Sequence, residues 1–447
     1  MKRILVKTLP LVVVAALTAG CASVPDHKPP DVNIESPQMW TAGQMDTSAV
    51  GLTEWWVSFD EPLLDELVAE SLNNNYDLIA ASARVDQAAA LARITGADRW
   101  PQLFVSGQGL RSKRNFIGFP IPGTPPGGVL STTNNSYGVS LDASWEIDLW
   151  GRMYKAQSAA LADVEASWAD LAGLRLSIAS QTVKAWFAIT EARLQVELAE
   201  QTVNSFRTSA DHVRTRYEQG VRTSLDLRLA LSNVAAAEAL LEFRREQLDR
   251  TTRQLEILLG RYPAAAIEAP PALPELPGEV PGGLPSELLI RRPDLLAAER
   301  RYAAAGARVS EARRAFFPRI TLTGSGGSLT QQIEDIASGD FSVWNIAAGI
   351  TQPIFQGGRL RANLARSHSV SDQALAGYAG ALLRAFGEVE SAIVAEESLR
   401  WRVRYTAEAA RQSEAARQVA ERQYQAGLVD YITVLETQRR SLNSQSE

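Results

Sequence analysis

A stretch of 22 residues decides the fold, because it shows how two helices must pack. It runs from Val196 to Tyr217 and reads VELAEQTVNSFRTSADHVRTRY. Its apolar side chains recur at alternating spacings of three and four, at Val196, Ala199, Val203, Phe206, Ala210, Val213 and Tyr217. This spacing is typical of a coiled-coil seam. The stretch therefore predicts a helix that packs lengthwise along a partner helix.

The helix that carries this seam is predicted to be very long. Between Gly151 and Glu218 only Gly173 disfavours a helix, and these 68 residues span roughly 100 Å at the α-helical rise. A turn is predicted at Gly220, because glycine readily adopts the left-handed conformation that tight turns use. Apolar residues then continue the seam in the return direction, at Leu225, Leu229, Ala236 and Phe243. The sequence thus predicts a coiled-coil hairpin over 151–258.

The chain contains this unit twice. At an offset of 217 residues, Asp77 falls on Asp294, Arg84 on Arg301, Pro101 on Pro318 and Gly107 on Gly324. At an offset of 207, Gly151 falls on Gly358, Tyr217 on Tyr424 and Gly220 on Gly427. A second hairpin is therefore predicted over 358–447, with its tip turn at Gly427. The second offset carries the end of the first return helix to about position 466, so the final helix is expected to be cut short.

Each copy is predicted to contain a helix, two strands, a long helix, a tight turn and a return helix. The strands cover about 102–112 and 136–148 in the first copy, and about 319–328 and 341–355 in the second. From Tyr137 to Asp148 apolar and polar residues alternate strictly, so one face is apolar and the other polar. Periodicity alone leaves two interpretations open, a membrane strand or a soluble antiparallel sheet with one buried face.

If the strands span a membrane, several chains must combine them. An open sheet edge in hydrocarbon leaves unpaired N–H and C=O groups, each of which costs several kcal/mol. Two chains would supply eight strands, and side chains fill a barrel of that size. Three chains would supply twelve strands and leave room for a water-filled lumen. A trimer or a larger assembly is therefore favoured.

The N-terminus has the features of an exported lipoprotein. Basic residues precede an apolar run that ends near Leu17, which predicts a signal peptide over 1–20. Cys21, the only cysteine, follows in a sequence that resembles a bacterial lipobox, and it is the predicted site of lipid attachment. Ala22, behind this cysteine, indicates export to the outer membrane according to the lipoprotein sorting pattern.

Two proline-rich segments set the domain boundaries. Residues 21–50 are predicted to be a lipidated tether, and residues 261–290 an extended connection, because their prolines exclude a continuous helix. The first structural repeat is then 51–260 and the second 291–447.

Composition and motifs exclude several functions. The net charge is −6, and it becomes more negative when the basic signal peptide is removed, which argues against a nucleic-acid partner. No uninterrupted run of 18 apolar residues follows the signal peptide, so no transmembrane helix is predicted. The histidines, His27, His212 and His368, do not lie at metal-ligand spacing to other ligands. No catalytic residue, metal site or cofactor is predicted, and the chain is not expected to be an enzyme.

A set of short motifs points to a known family. They are Trp55-Trp56 with Phe59 and Leu63-Leu64, then Arg291-Arg292-Pro293-Asp294-Leu295 with Glu299-Arg300, Phe317-Pro318, and Gly357-Gly358-Arg359-Leu360. Over essentially the whole mature chain the sequence resembles the lipoprotein branch of the TolC-like outer membrane factors, the OprM/NodT-type efflux channels. The resemblance implies a mainly α fold with a transmembrane β part: a homotrimer with a twelve-stranded barrel, a helical periplasmic tunnel and an equatorial belt. It also implies a periplasmic adaptor and an inner-membrane pump of the resistance-nodulation-division type as partners.

The two tip turns correspond to the periplasmic entrance of such channels, which the family closes with aromatic, basic and acidic residues. Carried over to this chain, the acidic positions are Asp226 and Glu436, and the aromatic one is Tyr424. Tyr217, at the matching place in the first turn, is included among the predicted gate residues. We expect the two carboxylates to form rings of like charge in the trimer, held by neighbours such as Arg222. The alternative is that they are solvated charges that complement exposed helix ends.

Two other functions remain open from the sequence. A periplasmic adaptor is also a lipoprotein with a coiled-coil hairpin, but it carries a single hairpin flanked by β domains. A coiled-coil lipoprotein without a pore is the second alternative. Two tandem hairpins with strand pairs between the helices favour the channel.

Overall fold

The computed structural model describes residues 54–116, 130–275, 285–287 and 291–447, together with residues 30–32, 34, 37 and 39–42. Residues 34–447 form one unit, and residues 1–33 form a separate one. The predicted signal peptide and the predicted lipid site at Cys21 lie outside the described residues. Most of the predicted tether and parts of the predicted connection lie outside them too.

The first repeat follows the predicted order of elements, with one difference. Its bounds are Pro62–Asn74 (α1), Tyr76–Ala97 (α2), Gln102–Phe116 (β1), Leu130–Ile147 (β2), Arg152–Glu218 (α3) and Ser224–Leu258 (α4). The sequence predicted one helix ahead of the strands, but the structure has two. The chain leaves the helical conformation at Asn75, whose side chain caps α2 by accepting hydrogen bonds from the amides of Asp77 and Leu78.

The second repeat has the predicted order, with one helix ahead of its strands. Its bounds are Pro293–Arg314 (α5), Arg319–Thr330 (β3), Ser342–Thr351 (β4), Arg359–Gln425 (α6) and Tyr431–Ser446 (α7). The prediction that the last strand reaches 355 was wrong: β4 ends at Thr351, because Pro353 lacks the N–H that a strand ladder needs. β1 and β2 are longer than predicted, since they stay paired as far as Phe116 and Leu130.

The long helices α3 and α6 dominate the fold. Each has 67 residues, and such a helix is roughly 100 Å long. Their return helices differ in length, with 35 residues in α4 and 16 in α7. None of the described helices is both long and apolar enough to cross a membrane.

The four strands form one antiparallel sheet in the order β1-β2-β3-β4. One face is apolar, because cross-strand partners such as Trp145 and Leu322 share it. On the opposite face the side chains of Ser106, Ser140 and Asp142 hydrogen-bond to one another at 2.6–2.9 Å. Within the described residues, β1 and β4 are edge strands with a partner on one side each.

The largest buried core lies where α1, α3 and α4 meet. Trp186 and Ile189 of α3 are fully buried there against Leu64 of α1 and Leu255 of α4. We call this set, with the surrounding residues Trp56, Leu67, Ala179 and Val183, the waist core. Burying one such large apolar side chain contributes about 1.5–3 kcal/mol, so the waist core holds the first repeat together.

Charged residues attach α5 to both long helices. The Arg300 side chain is 5% exposed and donates to Glu165 of α3 at 2.9 Å and to its neighbour Glu299 at 2.8 Å. Arg292 donates to Asp294 at 2.8 Å and to Glu388 of α6 at 2.6 Å. The arginine-rich motif noted in the sequence therefore bridges the two repeats.

Candidate functional site

The first tip turn joins α3 to α4. Gly220 has φ +74°, and its amide donates to the Tyr217 carbonyl at 2.9 Å, while the Val221 amide donates to the Arg216 carbonyl at 2.9 Å. This pair of bonds is a Schellman motif, which satisfies the last carbonyls of a helix and requires a left-handed residue.

A capping box then begins α4. The Asp226 amide donates to the Thr223 hydroxyl at 3.3 Å, and the Thr223 amide donates to the Asp226 carboxylate at 3.4 Å. Asp226 therefore has a local structural role at the helix start, and the gate role predicted for it stays a prediction.

The second tip turn repeats the first. Gly427 has φ +77°, its amide donates to the Tyr424 carbonyl at 3.0 Å, and the Leu428 amide donates to the Gln423 carbonyl at 2.9 Å. The internal duplication is thus visible in the hydrogen bonds of the two turns. Both glycines occupy the conformation that tight turns need, and any other residue would be strained there.

Two tyrosines and two arginines connect the tips of the hairpins. The rings of Tyr424 and Tyr431 lie 5.6 Å apart, and both residues are buried. The guanidinium of Arg216 lies 5.0 Å from the centre of the Tyr424 ring, and that of Arg222 lies 4.8 Å from it. We call these four residues the tip cluster. It combines two cation–π contacts to one ring, which are strongest when desolvated, with a tilted aromatic pair.

Arg216 also caps the opposite hairpin. Its side chain donates to the carbonyl of Tyr424 at 3.3 Å and to that of Gln425 at 3.1 Å, at the end of α6. Helices end with unpaired carbonyls and a partial negative charge, so a cation is favoured at this position. One side chain of the first hairpin therefore holds the terminus of a helix in the second.

Apolar side chains surround the tip cluster. Val213 of α3, Ala230 of α4 and Val434 of α7 are buried next to the two tyrosines. Val429 packs against the same set. The two hairpin tips are thus joined by packing as well as by polar contacts.

The structure brings together only some of the predicted gate residues. Arg222 and Tyr424 are in direct contact, and the Asp226 carboxylate is close enough to Tyr431 to raise its pKa. The Tyr217 side chain is 41% exposed. Glu436 lies outside the tip cluster, since its largely exposed carboxylate is paired with Arg440 at 3.6 Å. The charge rings predicted for the trimer remain a prediction.

Sequence reasoning missed Arg216 and Tyr431. Arg216 is the basic residue in the last turn of α3, and such residues often bind helix-terminal carbonyls. Its target, however, lies 208 positions away at Tyr424, so nothing local identified it. Tyr431 is the first residue of α7, and its ring contacts that of Tyr424 only because the turn reverses the direction of the chain.

A hydrogen-bonded network lies behind the tip cluster in the second hairpin. Arg417 donates to Glu414 and to Glu421, each at 2.6 Å. On α7, Gln438 is 2% exposed and donates to Glu421 at 3.0 Å, and Ser441 donates to Glu414 at 2.9 Å. We call these five residues the seam network. It connects α6 to α7 by polar bonds along their contact.

Two pKa values report on these surroundings. Burial, with the nearby Tyr424 and Asp226, raises the pKa of Tyr431 to about 12, so this phenol stays neutral at any physiological pH. The hydrogen bond from Arg417 lowers the pKa of Glu414 to about 2, so its carboxylate stays charged. The Tyr431 ring at the tip is therefore uncharged, whereas the Glu414 carboxylate in the seam network carries its full charge.

A cavity of about 370 Å³ lies between α3, α6 and α7, next to the tip cluster. Its lining includes His212, Arg417, Glu421, Tyr424 and Tyr431. The hydroxyl groups of Tyr424 and Tyr431 are buried and have no hydrogen-bond partner among the described residues. No cluster of three or more metal-ligating side chains was found among the described residues.

A known family covers most of the chain. The sequence model of the family described as "Outer membrane efflux protein" matches residues 67–261 and 284–447. The match includes both hairpins, both tip turns and all four strands.

Individual relatives agree with this match. Outer membrane protein OprJ of Pseudomonas aeruginosa is 33% identical over 430 residues, which are 95% of this chain and 88% of OprJ. Solvent efflux pump outer membrane protein SrpC of Pseudomonas putida is 30% identical over 449 residues, which are 99% of this chain and 93% of SrpC. The solved structure of the outer-membrane channel OprN superposes with a TM-score of 0.84 at 30% identity, over 95% of this chain and 94% of that one.

Proposed function

Because the chain belongs to the outer membrane efflux protein family, we propose that it is a passive exit channel of an efflux system, gated at the tips of its hairpins. Relatives over nearly the full length include an outer membrane component of a solvent efflux pump and an outer-membrane channel of solved structure. The protein is located in the outer membrane and extends into the periplasm. Family membership favours the channel over the adaptor and over the pore-free lipoprotein.

The two-faced sheet is the observation that carries the channel proposal. An apolar face suits contact with lipid, and a face of serine, threonine and aspartate side chains suits contact with water. The edges of β1 and β4 can be paired in lipid only by strands from further copies of the chain. Three copies that join β4 of one to β1 of the next make a twelve-stranded barrel with a water-filled lumen.

The long helices then continue the barrel as a periplasmic tunnel. Helices α3 and α6 leave the sheet through Gly151 and Gly358, and each is roughly 100 Å long. That length brings the two tips deep into the periplasm, where an adaptor protein and an inner-membrane pump would dock. A lipid on Cys21, including palmitate, would anchor the N-terminus in the same membrane.

The tip cluster is the gate in this proposal. In the closed state Arg216 of the first hairpin holds the end of α6, and the ring of Tyr424 contacts two guanidinium groups, those of Arg216 and Arg222. Opening requires these contacts to separate, so docking of an adaptor would open the channel by outcompeting them. Asp226 and Glu436 would contribute the charge rings at the entrance.

The test is ion conductance of purified protein in planar lipid bilayers, with heat-modifiable trimers on gels as the measure of assembly. We expect trimers that conduct poorly, and a higher conductance for Arg216→Gln and Tyr424→Ala. Arg214→Gln is the matched control, because Arg214 lies on the same helix in an exposed pair with Asp211. We expect Glu436→Gln to have a smaller effect than Arg216→Gln, since Glu436 lies outside the tip cluster.

Two results would contradict different parts of the proposal. A monomeric protein without conductance would exclude the channel. Conducting trimers in which Arg216→Gln behaves like Arg214→Gln would exclude the tip cluster as the gate while leaving the channel in place.

A further inference from the structure

The two pairs of strands carry opposite charge at the ends that lie away from the long helices. From Gln102 to Leu141 the sequence has three charged residues, and all are basic: Arg111, Lys113 and Arg114. From Ile320 to Thr351 it also has three, and all are acidic: Glu334, Asp335 and Asp340. We call the first set the basic strand end, because it lies on β1, and the second set the acidic loop, because it lies between β3 and β4.

Within one chain the two sets belong to opposite edges of the sheet. β1 and β4 are the edge strands, and the three strand spacings between them amount to about 14 Å. The acidic loop leads directly into β4, since Asp340 precedes the first residue of that strand by two positions. Asp335 is half-buried and the other five side chains are exposed. Among the described residues of the chain, none of the six forms an ion pair.

The strand registers determine how far the sheet advances across one chain. Gln102 of β1 pairs with Ser144 of β2, Ser144 with Thr323 of β3, and Thr323 with Ala347 of β4. Gln102 is the first residue of β1, whereas Ala347 lies four positions before the last residue of β4. A line drawn across the strands therefore advances by four residues from one edge of the sheet to the other.

This advance fits a closed barrel whose subunits join with their strand ends flush. With Gln102 of one copy opposite Thr351 of the next, each copy advances the register by about 13 Å over four strand spacings of about 19 Å. The strands then tilt by about 35°, which is typical of closed barrels. An even advance also keeps the apolar face on one side throughout. An advance of six residues would tilt the strands by about 46° and move the contact by two residues only.

The flush register brings the two charged sets together between subunits. β4 has ten residues and β1 has fifteen, so β4 covers β1 only as far as Arg111. The part of β1 beyond this point meets the acidic loop of the neighbouring copy. In this register Lys113 falls opposite Asp340, and the other two basic residues lie on either side of Lys113.

We propose that the acidic loop of one subunit binds the basic strand end of the next, and that this contact selects the register in which the barrel closes. The inference rests on the proposed function, because it requires the barrel. Backbone hydrogen bonds between β4 and β1 alone would permit a slip by two residues, which leaves the apolar face outside. Complementary charges at one end of the two strands favour a single register, since a slip separates the charged partners.

Disulfide cross-linking of purified trimers tests the register. Opposite residues on neighbouring strands have Cα atoms about 4.5–5.5 Å apart, which a disulfide can bridge. After mild oxidation of Lys113→Cys with Asp340→Cys, we expect more than about half of the subunits to run as cross-linked dimers and trimers on denaturing gels. Val105→Cys with Asp340→Cys is the control, because Val105 lies on the same face of β1 about 26 Å lower. Each single variant measures the background from Cys21, the only native cysteine.

Charge reversal tests the attraction. Arg111→Glu with Lys113→Glu places like charges at the contact, and it should lower the temperature at which trimers dissociate on gels by about 5 °C or more. Adding Glu334→Lys and Asp340→Lys to the same chain reverses both sides of the contact. This swapped chain should regain the parental dissociation temperature, although it carries four substitutions instead of two.

Two results would overturn the inference. One is a cross-linking yield for Lys113→Cys with Asp340→Cys no higher than that of the Val105→Cys control. The other is a swapped chain that is no more heat-stable than the charge-reversed one. Either result in trimers that conduct ions would contradict this contact and leave the channel in place. If the parent protein forms no trimers, the channel is contradicted, and this contact with it.

Discussion

The two hairpins hold their helices together in different ways. In the first hairpin the buried part of the contact of α3 with α4 is apolar, formed by residues such as Val203, Phe206 and Leu241, and its ion pairs lie on the exposed rim. In the second hairpin the contact of α6 with α7 behind the tip cluster is made by the seam network, in which Arg417 binds two glutamates and Gln438 is buried between the helices. The backbone geometry of the two tip turns is nevertheless the same.

The difference shows that apolar packing and polar bonds contribute differently to the two copies of the hairpin. Apolar burial contributes about 25 cal/mol per Å² but does not depend on direction, so it tolerates small shifts. A buried hydrogen bond contributes only about 0.5–1.5 kcal/mol net, but it forms in one register and leaves unpaired groups in all others. The first hairpin is therefore stabilised by packing, and the second is fixed in register by its polar bonds.

The largest effect is expected from the apolar seam. Phe206 is 8% exposed, and Phe206→Ala should lower the free energy of unfolding by about 3 kcal/mol, because it removes a buried ring and leaves a cavity. The midpoint of denaturant unfolding measures this. Phe243→Ala is the control. The prediction that Phe243 lies in the seam was wrong, because Ala237 and Leu241 occupy the buried face of α4 and Phe243 is 48% exposed. Its substitution should cost less than about 1 kcal/mol. Equal costs would mean that the assembly buries both rings.

A smaller effect is expected from the seam network. Arg417→Met should cost about 2 kcal/mol, because Glu414 and Glu421 would lose the one cation that they share and keep only neutral hydrogen-bond donors. Arg411→Met removes an exposed ion pair with Glu408 from the same helix and should cost less than about 1 kcal/mol. The same unfolding measurement compares the two. If the two arginine variants were equally stable, the polar seam would not hold the second hairpin.

The pH dependence of unfolding should distinguish the seam network from the apolar seam. The pKa of Glu414 is lowered to about 2, so its stabilising contribution is complete above its ordinary pKa of 4.5 and is lost as the pH falls through about 2. Thermal unfolding of Glu414→Gln should therefore differ most from the parent near pH 7, and the difference should shrink between pH 4.5 and pH 2. The loss of stability in Phe206→Ala should not change with pH in this way, because the substitution removes no charge.

The smallest effect is expected at the tip. The buried hydroxyl groups of Tyr424 and Tyr431 have no hydrogen-bond partner among the described residues, so Tyr424→Phe and Tyr431→Phe should change the unfolding free energy by less than about 0.5 kcal/mol. Tyr431→Ala removes the ring as well and should cost several times more. A loss above about 1 kcal/mol for either Phe variant would show that another subunit supplies the missing partner.

Much of this architecture was predictable because it depends on local periodicity. The seam from Val196 to Tyr217, the alternation after Tyr137 and the two glycine turns are patterns that one segment shows by itself. The misses have a common cause. Asn75 breaks the first helix by capping the next one, and a single asparagine in a helical sequence does not show which role it takes.

The tip cluster was predictable only in part. Tyr424 and Arg222 could be located because they lie in the turns themselves. Arg216 could not be predicted, because its partners belong to the other repeat. Glu436 is paired with Arg440 of its own helix and lies outside the tip cluster, so its predicted charge ring at the entrance stays a prediction.

The amino-acid sequence alone determined the duplicated plan, the length of the helices, the left-handed turns and the two faces of the strands, because each follows from the conformational preferences and spacing of neighbouring residues. The tertiary structure alone decided that Arg216 caps α6, that Arg417 and Gln438 share one buried network, and that Trp40 lies on Phe386. These contacts join residues far apart in the chain, and the free energy of each depends on burial and geometry that exist only after the helices have packed.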